Sequence, residues 1–131
     1  MNNEKPITIL FTGADCPGTD NIRELIGGMD DFIIYSDNHE GEDFFSTLLQ
    51  VKPHLVLADI SASDNHGEHL IRSIKDAHPA ISILAINSEF APSILKKTIN
   101  AGAAGYILKE KLSDAIQGIK TILGGSIFVS V

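Results

Sequence analysis

Hydrophobic period switches back and forth along this chain, and few folds tolerate that pattern. Apolar runs of strand length alternate with stretches whose apolar residues recur at i, i+3, i+4 and i+7. Residues 7–12 read as a buried strand. Thr19 or Asp20 is placed to cap a helix carrying Ile22, Leu25, Ile26 and Met29, with Gly27 and Gly28 at its end. Residues 32–35 form a second strand. Residues 41–51 place Phe44, Phe45, Leu48 and Leu49 on one side of a second helix, which Pro53 stops. Residues 55–58 form a third strand ending at Asp59.

After a polar loop over 61–67 comes a helix with Leu70, Ile71, Ile74 and Ala77, closed by Pro79. Residues 81–86 make a fourth strand. Pro92 opens a helix through Ile94, Leu95 and Ile99 that Gly102 breaks. Residues 105–108 make a short fifth strand. Leu112, Ala115, Ile116, Ile119, Ile122 and Leu123 form the cleanest helical stripe, ended by Gly124 and Gly125.

Strands alternating with helices imply a parallel sheet covered on both faces. Right-handed crossovers then give a doubly wound, five-stranded α/β sheet of flavodoxin-like order 2-1-3-4-5 with five flanking helices. The 131 residues suit one domain spanning 1–131. In such sheets the working crevice lies at the carboxyl ends of the strands. That rule singles out residues 12–15, 59–61 and 87–88, together with Lys109.

Composition narrows the function classes. Ten Lys and Arg stand against seventeen Asp and Glu, a net charge of −7 with no basic run, which argues against nucleic-acid contact by this domain. Apolar runs are too short to span a bilayer, and residues 1–5 lack the character of a signal peptide. The single cysteine, Cys16, makes no internal disulfide, so a cytoplasmic location is the default.

Two crevice residues carry chemistry. Asp59, at the tip of a central strand, suits a phosphoryl acceptor, a metal ligand or a cap for the next loop. Lys109 ends the fifth strand and is placed to reach toward Asp59 as a point charge for a phosphoryl oxygen or carboxylate. The stretch Lys52-Pro53-His54-Leu55-Val56-Leu57-Ala58-Asp59 resembles the phosphoacceptor strand of response-regulator receiver domains. The stretch Ala101-Gly102-Ala103-Ala104-Gly105-Tyr106-Ile107-Leu108-Lys109 resembles their lysine segment more specifically. The likeness covers essentially the whole chain. It has the flavour of LuxR-type regulators, in which a receiver precedes a helix-turn-helix domain. Gly124-Gly125-Ser126-Ile127-Phe128 resembles the lead into that linker, leaving room for a DNA-binding domain in a longer natural chain.

The resemblance implies roles. Asp59 would be the phosphoacceptor, Lys109 would contact the phosphoryl group, and Tyr106 would be the switch aromatic. Gly67 would close the loop after the acceptor. Mg²⁺ would neutralise charge during transfer, a sensor histidine kinase would be the partner, and transcription the output. Several positions depart from the family pattern. The acidic pair that holds the metal is replaced by Gly13 and Ala14, with Asp15 one residue beyond. Asn87, with Ser88 beside it, stands where a Ser or Thr contacts the phosphoryl group, and Ser63 replaces a proline. Mg²⁺, left with Asp59 and Asp15, is therefore expected to bind weakly, and phosphorylation to be slow or absent.

Other motifs carry less. Gly13-Ala14-Asp15-Cys16-Pro17-Gly18-Thr19 has glycines five apart but lacks the lysine of a phosphate-binding loop. His66 and His69, with Asp64 and Glu68 near in sequence, lack a matching third ligand and read as a polar helix face. Cys16 reads as an inert thiol.

The functional expectation is a receiver, not an enzyme. It would act through phosphorylation at Asp59 or by phosphorylation-independent interaction. The alternative is a protein- or small-ligand-binding module on the same fold. The surface around the Pro92 helix, the fifth strand and the last helix would carry the output. A weak homodimer is expected through that surface or through Ile127, Val129 and Val131. Packing of this tail on its own domain is the competing arrangement.

Overall fold

The computed structural model describes residues 7–12, 32–37, 42–60 and 66–131. In chain order these form β1 (Ile7–Thr12), β2 (Phe32–Asp37), α1 (Glu42–Val51), β3 (Leu55–Asp59), α2 (His66–Ala77), β4 (Ser82–Asn87), α3 (Pro92–Ala101) and β5 (Gly105–Leu108). A 3-10 turn over Lys109–Asp114 then leads into α4 (Ala115–Leu123) and β6 (Phe128–Ser130). All strands pair in parallel, in the order β2-β1-β3-β4-β5-β6. The doubly wound class and the 2-1-3-4-5 order are as the alternation requires. The helix expected over Ile22 to Met29 lies outside the described residues.

Side chains alternate across each strand and divide the core in two. Leu10, Val56, Ala58, Ile83, Ala85, Tyr106 and Leu108 pack on one sheet face with Leu48 of α1, Ile71 and Ile74 of α2, and Ala101 of α3. Ile9, Phe11, Leu55, Leu57, Leu84, Ile86 and Ile107 pack on the other with Ala115, Ile119 and Ile122 of α4. Burial on both faces explains why β3 reads LVLA with no polar alternation until Asp59.

Three local differences from the sequence expectation have physical causes. β4 is shifted by one residue, to Ser82–Asn87, because Ile86 and Asn87 pair with Ile107 and Leu108. The last helix is split. Its first turn tightens into the 3-10 segment, kinked at Lys111 (φ −108°, ψ 21°), and regular α geometry begins at Ala115. The sheet also gains a sixth strand. Phe128 and Val129 pair with Gly105 and Tyr106, and the Phe128 N–H donates to the Ala104 carbonyl at 3.1 Å.

Two glycines make room for that strand. A Cβ on Gly118 of α4 would stand 2.6 Å from the Phe128 ring, and one on Gly105 would stand 2.8 Å from the Phe128 carbonyl oxygen. The tail is thus divided. Phe128 is half-buried against the α4 side of the sheet, whereas Ile127, Val129 and Val131 remain exposed.

Candidate functional site

β3, β4 and β5 deliver the site to one end of the sheet. Asp59 is the last residue of β3 and pairs with Ile86; Asn87 ends β4; Lys109 directly follows β5. Three rigid neighbouring strands therefore fix three polar residues at the carboxyl edge, where the backbone ladder stops and side chains can converge.

The structure brings Asp59 and Lys109 together. Lys109 Nζ lies 3.4 Å from Asp59 Oδ2, with side-chain exposures of 24% and 4%. The separation exceeds the roughly 2.7–2.9 Å of a short charge-assisted hydrogen bond. The contact is an ion pair between a buried carboxylate and a lysine that still reaches water. Burial removes hydration from the carboxylate, and the ammonium partly replaces it. Chemically, the pair offers an oxygen nucleophile at the crevice floor and a cation for an incoming anion.

Asn87 and Tyr106 form a second, adjoining unit. Asn87 Nδ2 donates to the Tyr106 hydroxyl at 2.9 Å, and Asn87 Oδ1 accepts from the Ser88 N–H at 2.8 Å. The Ser88 N–H can only donate, which fixes the oxygen on that side and leaves the amide nitrogen for tyrosine. The Tyr106 hydroxyl in turn donates to the Glu89 carbonyl at 3.1 Å. Tyr106 is fully buried among the core residues on the α2 and α3 face, with its hydroxyl satisfied as acceptor and donor. Ser88 is exposed and enters through its backbone.

The Glu89 carbonyl was not foreseen, because a backbone acceptor leaves no mark on residue type. The pairing of Asn87 with Tyr106 was legible only in part. Their strands are adjacent in the expected order, but the direction of an amide is not written in the sequence.

Other candidates fall differently. Gly13, Ala14, Asp15, Cys16, Ser61, Ser63 and Asp64 lie outside the described residues. Gly67 lies in the first turn of α2. Glu68 pairs with Arg72 at 3.3 Å, and His69 is exposed. Among the described residues no group of three or more His, Cys, Asp or Glu side chains is placed to hold a metal. The described crevice supplies one carboxylate beside an ammonium. Mg²⁺ seeks several hard oxygens in octahedral array, more than these described residues offer by themselves, and Asp15 and Ser61 lie outside the described residues. No helix among the described residues is long and apolar enough to cross a membrane.

Comparison with known proteins places this geometry in context. The family model for the response regulator receiver domain matches residues 7–120. Transcriptional regulatory protein DegU of Brevibacillus brevis is 23% identical over 128 residues, covering 97% of this chain and 54% of that protein. Response regulator GacA of Pseudomonas protegens is 24% identical over 110 residues, covering 83% of this chain and 52% of that protein. The chain thus spans about half the length of these curated relatives.

Among solved structures, a LuxR-family two-component response regulator from Aurantimonas sp. superimposes with a TM-score of 0.83. It is 20% identical, over 95% of this chain and 89% of that one. The non-phosphorylated receiver domain of Escherichia coli RcsB gives a TM-score of 0.83 at 18% identity, over 95% and 98% of the two chains. At these identities the structural likeness speaks for the fold.

Proposed function

The chain belongs to the response regulator receiver domain family, and from that premise we propose that it signals without the usual phosphorylation cycle, through a surface already set by Tyr106. The observation that carries this reading is the Asn87 amide. Both its polar atoms are engaged, one on the Tyr106 hydroxyl and one on the Ser88 N–H. One N–H of Nδ2 is taken by Tyr106, so an anion arriving at Asp59 would have only the second N–H, whose direction the Tyr106 and Ser88 contacts already fix. The buried aromatic is held by neutral hydrogen bonds that need no phosphoryl group.

The sequence supports the same reading. Gly13 and Ala14 carry no side-chain oxygen where the family places two acids, which leaves Asp59 and Asp15 for Mg²⁺ and makes its binding weak. Without a cation, an anionic donor approaching a carboxylate is poorly compensated. A second reading, phosphorylation at Asp59 by a sensor histidine kinase, is favoured by one observation. Lys109 stands 3.4 Å from the carboxylate, where it would meet a phosphoryl oxygen. Under either reading the roles of Asp59, Lys109, Asn87 and Tyr106 are those of a receiver rather than an enzyme.

The proposed output is control of transcription in a longer protein, by analogy with relatives named as transcriptional regulators. The domain itself, at −7, would make no direct nucleic-acid contact. We also propose a cytoplasmic location, from the lone cysteine, and a weak homodimer, from the exposed Ile127, Val129 and Val131.

Intact mass after incubation with acetyl phosphate and millimolar Mg²⁺ tests the main reading. The expected result is little or no phosphoryl-sized gain. A near-stoichiometric gain that Asp59→Asn abolishes would overturn it and install the second reading.

A further inference from the structure

Lys109 sits between two attachments of one residue in the C-terminal strand. Ile107, two positions before it, pairs with Ser130 in the β5–β6 ladder. Asp114, five positions after it, closes the 3-10 turn and accepts a hydrogen bond from Ser130 Oγ at 2.8 Å. Ser130 therefore bridges the strand that delivers the pocket lysine and the turn that leaves it. A third attachment, the Phe128 ring in the notch opposite Gly118, holds β6 against α4. The sheet ends at β6, which has three residues and these few ties, so its opening is local and inexpensive compared with unfolding the core.

We propose that the Asp59–Lys109 ion pair and the docking of β6 stabilise each other, so that the state of the crevice is transmitted to the C-terminal strand. The path is short and covalent for most of its length: Asp59 to Lys109 through space, Lys109 to Asp114 along the 3-10 turn, and Asp114 to Ser130 by hydrogen bond. With the pair made, the first residue of the turn is anchored, and Asp114 is held where Ser130 can reach it. With the pair broken, the turn loses one tether at its Lys109 end and gives more readily at the kink already present at Lys111. Coupling between sites is reciprocal, so detaching β6 also loosens the lysine. The inference deepens the receiver reading only in naming what occupies the crevice; the coupling itself rests on the contacts.

Amide hydrogen exchange measured residue by residue tests it. Asp59→Asn removes the charge at nearly constant shape and touches nothing in β6. It is expected to speed exchange at residues 128–130 by about tenfold while β1 amides stay near wild-type rates. Ser130→Ala breaks the link at its far end and loosens β6 directly. In that background Asp59→Asn is expected to add nothing, because the route is already cut.

Unchanged exchange at 128–130 in Asp59→Asn would overturn the proposal. So would an equal acceleration in β1, which marks general destabilisation, or a full effect retained in the Ser130→Ala background, which marks another route. A further arm adds beryllium trifluoride with Mg²⁺ to the unaltered protein. Movement of the Lys109 amide signal with no change at 128–130 counts against the coupling. Absence of any Lys109 movement counts against anion binding, and so against the phosphorylation reading, while the two variants still decide the coupling.

Discussion

Removing Lys109 leaves a carboxylate that is 4% exposed without the cation at 3.4 Å, whereas neutralising Asp59 leaves a lysine that already reaches solvent. The two halves of the pair should therefore differ in what their loss does. Lys109→Met is expected to destabilise the fold by roughly 1–3 kcal/mol, the range for a buried polar group deprived of a partner. Asp59→Asn should stay within about 1 kcal/mol of the parent, since the amide needs no counter-charge. Urea unfolding of both variants checks the order, and equal losses would argue against a buried carboxylate.

Lys52 presents the opposite case, a residue that works against its own backbone. It follows α1 with φ 51°, in the left-handed region, where its N–H still closes onto the Leu48 carbonyl at 2.9 Å. Glycine adopts that conformation without the Cβ clash. Lys52→Gly is expected to raise stability by about 1 kcal/mol, seen as a higher urea midpoint at unchanged slope. At this scale the sequence named Asp59 and Lys109 because residue type and strand position sufficed. It did not reveal that Asn87 faces Tyr106, because an amide offers donors and acceptors to any side.

Among the elements, β1, β3, β4 and β5 were legible because each is largely buried on both faces and reads as a mostly apolar run of strand length. β6 was not, because its alternation suited both a surface patch and a strand. What decided the matter is a pair of distant glycines, which have no strand signature. Gly118 lies in the interior of α4, where Ala would be favoured by about 1 kcal/mol on helix propensity alone. A glycine there makes sense as the seat of Phe128. Gly118→Ala thus sets a helix gain against the displaced ring, whose half-buried packing contributes about 1–2 kcal/mol. The expected outcome is a small net loss, under about 1 kcal/mol, with β6 amides becoming fast-exchanging while α4 becomes more protected. Slower exchange in both elements would show that the ring has another seat.

For the molecule as a whole, charge and apolar exposure oppose each other. The chain carries −7, so two copies repel at a distance. Yet docking of β6 turns Val129, the partner of Tyr106, toward the sheet face that α3 also covers, and leaves Ile127, Val129 and Val131 exposed at that margin. Phe90, just before α3, and Ile94, in its first turn, are exposed as well. A homodimer through the tail would bury apolar surface against a long-range repulsion, and the two terms respond differently to salt. Raising ionic strength from about 0.01 to 0.15 M shortens the screening length from about 30 to 8 Å and removes most of the repulsion. Contact between apolar side chains is not weakened by that change. Association in sedimentation velocity is therefore expected to be weak and to strengthen with added salt. Val129→Asp, at a position exposed within the monomer, should abolish it without changing the unfolding free energy by more than about 0.5 kcal/mol. A dimer that weakens as salt rises would be held by ion pairs and would lie on another surface. A monomer at high concentration under both salt conditions would remove the self-association proposal for the unmodified protein.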